Sequence, residues 1–136
     1  MRKKPVLVVS VVLALLLSCG CTVRKAGTEK IRDLDYTVLA ESEVPETLAE
    51  EIEENKADDL KMTYRENDYL YIVRGFGMQE TGGYSIQVTE LSLAENAIYF
   101  DAELIGPESG EEVEKAVSYP YIVIKTERLE ENVVFE

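Results

Sequence analysis

The sequence predicts a mostly β domain of the α+β kind: a small antiparallel barrel or sandwich of about six to seven strands, carrying one short amphipathic helix. Three observations lead there. From Leu60 onward apolar and polar residues alternate with period two, as in AIYFDAEL (Ala97–Leu104), the pattern of strands that bury one face. The connections between these runs are short, which favours antiparallel pairing. A single stretch, VPETLAEEIEENKADD, has helical spacing instead.

LDYTVLAE (Leu34–Glu41) reads as the first strand, with Leu34, Tyr36 and Val38 on one face. Pro45 suits the first turn of the helix that follows, where a missing N–H does no harm. Acidic residues crowd the positive N-terminal end of that helix. Val44, Leu48 and Ile52 give it a narrow apolar stripe. Its many glutamates read as a solvated face, because no regular loop of oxygen ligands for calcium appears. KMTYRE and DYLYIVRGF read as two strands around a turn at Asn67 and Asp68. The second is apolar on both faces, Tyr69, Tyr71 and Val73 opposing Leu70 and Ile72, which predicts a central strand. YSIQVTEL and AIYFDAEL follow, the latter with Ile98, Phe100, Ala102 and Leu104 on one side. IGPESGEE reads as a loop, YPYIVIKTE as a strand and NVVFE as an edge strand.

The N-terminus separates from this domain. MRKKP is basic, and Val6 to Ser18 then run without a charge, as the n- and h-regions of an export signal do. As a helix that run would span only about 20 Å, short of the roughly 30 Å of bilayer hydrocarbon. Extension through Val23 gives the alternative of an uncleaved anchor. LLLSCGCTV resembles a bacterial lipobox, in which a cysteine thiol takes diacylglycerol and becomes the modified N-terminus. Both Cys19 and Cys21 fit as the acylated residue, and no other cysteine is present to pair with either. Several acyl chains on one residue give stable anchoring, where one gives marginal binding. The expected organisation is a signal peptide over 1–20 (ending at 18 or 20), a membrane tether over 21–32 and a β domain over 33–136. The body would then sit on the extracytoplasmic face of the cell membrane.

Charge and composition exclude several classes. Without Arg2, Lys3 and Lys4, 11 basic residues face 27 acidic ones, a net charge of −16, which repels nucleic acid and anionic lipid. The chain has no histidine, and its cysteines sit at the membrane end. Ser–His–Asp, Cys–His and histidine-ligated zinc chemistry are therefore absent. Neither a GxSxG elbow nor a phosphate-cradling glycine loop with its lysine occurs. Paired carboxylates are too abundant to carry an assignment. The reading is a non-enzyme with no catalytic residue, no metal and no cofactor.

What remains distinctive is tyrosine, a residue suited to cores and to protein interfaces, and the stretch QETGGYSIQV. Gly82 and Gly83 can take positive φ without penalty, as primed hairpin turns require. A plain hairpin turn and an exposed recognition loop both fit them. The run RGFGMQETGGYSIQV, then LIGP, then SYPYIVIK, resembles the C-terminal domain of the protease-complex subunit PrcB family over roughly Leu60–Thr126. Thr81, Gly82, Gly83 and Tyr84 carry that likeness, with Tyr119, Pro120 and Tyr121 as its second element. The resemblance implies a lipoprotein that binds and stabilises a surface protease, with Gln79 to Tyr84 (Glu80 included) and Tyr119 to Tyr121 as the protein-binding residues. TGGY is also similar to the TTGY loop of chagasin-type protease inhibitors. Here Gln79 and Glu80 replace the preceding Asn-Pro, and the tryptophan-bearing loop is missing. Protease inhibition, and binding of a small ligand or envelope polymer through the tyrosines, remain the alternatives.

Overall fold

A computed structural model describes residues 29–136. The apolar run Val6–Ser18, Cys19, Cys21 and the tether as far as residue 28 lie outside the described residues. Among the described residues no helix is long and apolar enough to cross a membrane.

The fold is a sandwich of two four-stranded sheets, neither closed into a barrel, with a helix against one outer face. Its strands are β1 (Lys30–Asp33), β2 (Tyr36–Val38), β3 (Asp59–Glu66), β4 (Tyr69–Phe76), β5 (Ser85–Ala94), β6 (Ala97–Ile105), β7 (Tyr121–Glu127) and β8 (Asn132–Phe135). The outer sheet runs β1-β5-β6-β8 and the middle sheet β2-β7-β4-β3. All neighbours are antiparallel except β6 and β8. NVVFE is an edge strand as expected.

The middle sheet is covered on both sides, and the alternation of β4 produces this. Leu70 and Ile72 point into the core between the sheets, with Leu91, Ile98, Phe100 and Ile124. Tyr71 and Val73 point the other way, toward Leu48, Ile52, Leu60 and Val123. Phe100 also meets Phe135 edge-on, with ring centroids 5.7 Å apart. The helix α1 (Glu46–Asn55) lays Leu48 and Ile52, both fully buried, on that second core. Pro45 caps it from just outside, its carbonyl accepting the Ala49 N–H at 2.9 Å.

Two sequence expectations change. The predicted first strand divides, because its ends serve different sheets. Leu34 is buried in the inter-sheet core and donates its N–H to the Leu91 carbonyl at 3.0 Å. Past it the chain kinks, with the Asp35 carbonyl accepting from Thr126 Oγ1 at 2.7 Å, and β2 joins the middle sheet. Tyr36 and Val38 thus lie at an exposed rim and do not share Leu34's burial. With β1 built from KIRD, the strand count rises to eight.

The second change concerns the glycines. β4 belongs to the middle sheet and β5 to the outer one, so Gly82 and Gly83 lie in a crossing between sheets and no hairpin joins these strands. The true two-residue hairpins are at Asn67-Asp68 (Asn67 φ 53°) and Glu95-Asn96.

The helix should be held by two side chains. Leu48→Ala or Ile52→Ala should each lose about 2–5 kcal/mol, the usual cost of emptying a buried aliphatic site. The exposed Glu50→Ala should stay within about 0.5 kcal/mol of the parent. Urea unfolding of the three variants checks both.

Candidate functional site

The two resemblance motifs lie far apart in sequence and side by side in space. Strands β4 and β7 are neighbours in the middle sheet, with Gly75 opposite Tyr121. Strands β5 and β6 are neighbours in the outer sheet, with Ser85 opposite Ile105. The chain therefore crosses from sheet to sheet twice at the same end, once through 77–84 and once through 106–120. The two crossings zip together. Gln79 and Ser118 form an antiparallel bridge, with N–H to carbonyl distances of 2.8 and 3.0 Å. The Gly82 N–H donates to the Glu114 carbonyl at 2.9 Å, and Ser118 Oγ donates to the Thr81 carbonyl at 2.7 Å. Phe76 N–H reaches the Pro120 carbonyl at 3.1 Å.

Each residue of TGGY has a local reason. Gly83 takes φ +87°, and a Cβ there would come within 2.6 Å of Val113 Cγ1, so only glycine fits. Gly82 has no positive φ, and its nearest neighbour, Glu114 Cβ, would sit at an ordinary 3.6 Å. The Tyr84 ring packs against Gly106, close enough that a Cβ on Gly106 would lie 3.3 Å from it. Gln79 Nε2 donates to the Phe76 carbonyl at 3.1 Å. Gln79, Thr81, Gly82 and Tyr84 are half-buried, and Glu80 and Gly83 are exposed. The segment is a packed crossing, which disfavours a finger inserted into a protease cleft.

Tyr119, Pro120 and Tyr121 continue the second crossing into β7, and the helical layer steadies them. Lys56, just past α1, holds its ammonium 5.3 Å from the Tyr119 ring centroid and 2.9 Å from Glu53. The hydrogen bond that Lys56 donates to that carboxylate raises the lysine pKa. Tyr121 Oη donates to Glu41 Oε1 at 3.1 Å. Partial burial, then the Glu41 carboxylate, push the Tyr121 phenol up from 10.0 to about 12. Beside it opens a cleft of about 280 Å³, lined by Val38, Leu39, Glu41, Val44, Pro120 and Tyr121 among others.

Sequence reasoning missed two residues. Met78 and Val117 are 55% and 53% exposed and flank the Gln79–Ser118 bridge, one on each crossing. Met78 was within the quoted stretch, but nothing in the sequence pairs it with Val117. Among the described residues, no group of three or more carboxylates, histidines or cysteines converges as a metal site.

The chain also has a likeness to a known family. Residues 70–127 match the family described as PrcB C-terminal. The match agrees with the resemblance carried by TGGY and YPY. No curated protein and no solved structure matches the chain. The PrcB-like segment begins in β4 and ends with β7. It thus spans both crossings and the strand pairs they join, and leaves out β1 to β3, α1 and β8.

The unlike glycines give a sharp expectation. Gly83→Ala should cost more than about 2 kcal/mol through φ strain and the clash with Val113, whereas Gly82→Ala should cost under about 1 kcal/mol. Thermal melts of the two variants check this. Tyr121 supplies a pH test. Its folded pKa lies above the ordinary phenol value, so its contribution to stability is full below pH 10 and is lost as pH rises through about 12. In Glu41→Gln the ionisation should fall below 12 and stay above 10, because burial persists. Tyrosinate absorbance, read as a difference against Tyr121→Phe, measures it.

Proposed function

We propose that this chain is a lipid-anchored, non-catalytic module that binds another exported protein and serves as the stabilising subunit of a surface protease. The carrying observation is the joint between the crossings: the two segments that resemble the PrcB family are hydrogen-bonded side by side there, with Met78 and Val117 exposed next to the bridge. An apolar pair within a hydrogen-bonded frame suits a protein interface better than a small-molecule pocket. Acylation at Cys19 or Cys21 would hold the body on the extracytoplasmic face of the cell membrane, where such a partner is met. No cofactor or nucleic acid enters this reading.

Affinity capture tests it. The full chain, kept soluble in mild detergent and immobilised, is exposed to solubilised envelope and secreted proteins. One peptidase should be enriched, and Met78→Ser with Val117→Ser should lose it by about tenfold without a change in melting. Gln79 and Tyr84 are poor choices here because both are packed. Equal capture by the variant, or no peptidase at all, would overturn the assignment.

A further inference from the structure

Among the described residues the sandwich has four edge strands, and two of them, β1 and β3, carry a feature that discourages further pairing. In β1 the register slips between Lys30 and Arg32, so Ile31 is bulged out of the ladder. β3 turns Lys61 and Arg65 to the face that looks toward the outer sheet, opposite Arg74 and Leu70. Arg65 there donates to the carbonyls of Leu129 and Glu131, each at 2.9 Å. Bulges and inward charges are the usual protections of a free edge. β8, the parallel partner of β6, carries neither protection, but it does not line the Tyr121 cleft, so that pocket does not lie beside its edge.

β2, three residues long, has neither a bulge nor an inward charge. Tyr36, Thr37 and Val38 are all strand formers, none is charged, and their register with β7 is unbroken. The Leu39 N–H bonds the Val123 carbonyl at 2.9 Å. By the alternation of an antiparallel ladder, Thr37 turns its backbone groups toward β7 as Leu39 does, and Tyr36 and Val38 turn theirs outward. Their side chains stand at the rim of the inter-sheet core, opposite buried Thr126 and Ile124, and are 40% and 53% exposed. The Tyr121 cleft opens along one side of this strand, and a second one, of about 460 Å³ and reaching Tyr36, Leu34 and Glu90, along the other.

We propose that β2 is a docking edge, beside which an extended partner segment of alternating apolar and basic residues adds as a further strand of the middle sheet. This deepens the binding reading above and rests on it. Apolar side chains of the added strand would cover Tyr36 and Val38, and alternate ones would lie on the opposite face, where Glu41 lines the cleft beside Tyr121. Charge complementarity selects the basic residues. Residues 29–136 hold all 27 acidic side chains against nine Lys and Arg. The cations near β2 are engaged: Lys30 with Asp33 at 3.1 Å, Arg32 with Glu127 at 2.6 Å, and Lys125 over the Tyr69 ring at 4.3 Å.

The probe is an acetylated, amidated heptapeptide of alternating lysine and valine, titrated into the full chain in mild detergent and followed by amide NMR. Expected are shifts and slowed hydrogen exchange at Tyr36 and Val38. Binding should weaken by about tenfold for Val38→Pro, which removes one outward N–H, and similarly for a peptide with glutamate in place of lysine. Should the proline variant not fold, Val38→Lys sets a like charge against the same peptide and should weaken it comparably. The Met78→Ser, Val117→Ser protein should bind the peptide as the parent does. Shifts centred on β3 or β8, undiminished binding by the Val38 variants, or no shift at millimolar peptide would each overturn the docking edge. Peptidase capture that persists in those cases would leave the subunit reading standing.

Discussion

The middle sheet is buried on both faces, and most of the architecture follows from that single constraint. Leu70 and Ile72 serve one core while Tyr71 and Val73 serve the other, so β4 needs apolar cover on both sides. The outer sheet supplies one cover and α1 the other. The outer sheet also needs β5 and β6 as a hairpin, with Val88 facing Ala102 and Leu91 facing Phe100. A chain that runs β4, β5, β6, β7 must then leave the middle sheet and come back to it. Both journeys occur at the same end because β4 and β7 are adjacent, as are β5 and β6. Backbone groups in the two crossings would otherwise lack partners, and pairing with each other satisfies them.

This explains how much of the molecule was readable from its sequence. Period-two alternation in AIYFDAEL and doubled apolarity in DYLYIVRGF are local facts, and both strands stand where those patterns place them. The stripe of Val44, Leu48 and Ile52 is likewise local: the helix buries Leu48 and Ile52, and Val44, just before it, packs against the same core. Sheet membership is not local. Nothing near Leu34 announces that Lys30–Asp33 and Tyr36–Val38 belong to different sheets. The glycines misled for the same reason. A hairpin and a crossing both use glycine at positive φ, and what separates them is the sheet that the next strand joins.

The candidate site was half legible on the same grounds. TGGY and YPY could be recognised as two likenesses, but their contact depends on a bridge between Gln79 and Ser118. Once that bridge is present, the roles of the motif residues divide. Gly83 and Tyr84 hold the crossing against Val113 and Gly106, whereas Met78, Glu80 and Val117, beside the bridge, are exposed. A motif that identifies a domain need not be the part of the domain that touches anything.

The pairing of β1 with β5 bears on the order in which the chain acquires its structure. The β3–β4 and β5–β6 hairpins join residues close in sequence and close quickly, whereas contacts of large sequence separation wait for loop closure. Lys30 meets Ala94, and Tyr36 meets Thr126. A chain made from its N-terminus therefore presents β1 and β2 first and secures them late, after β5 and β7 exist to receive them. In that interval Lys30–Asp33 and Tyr36–Val38 have water as the partner of their backbone groups, and the Leu34 side chain between them waits for its core.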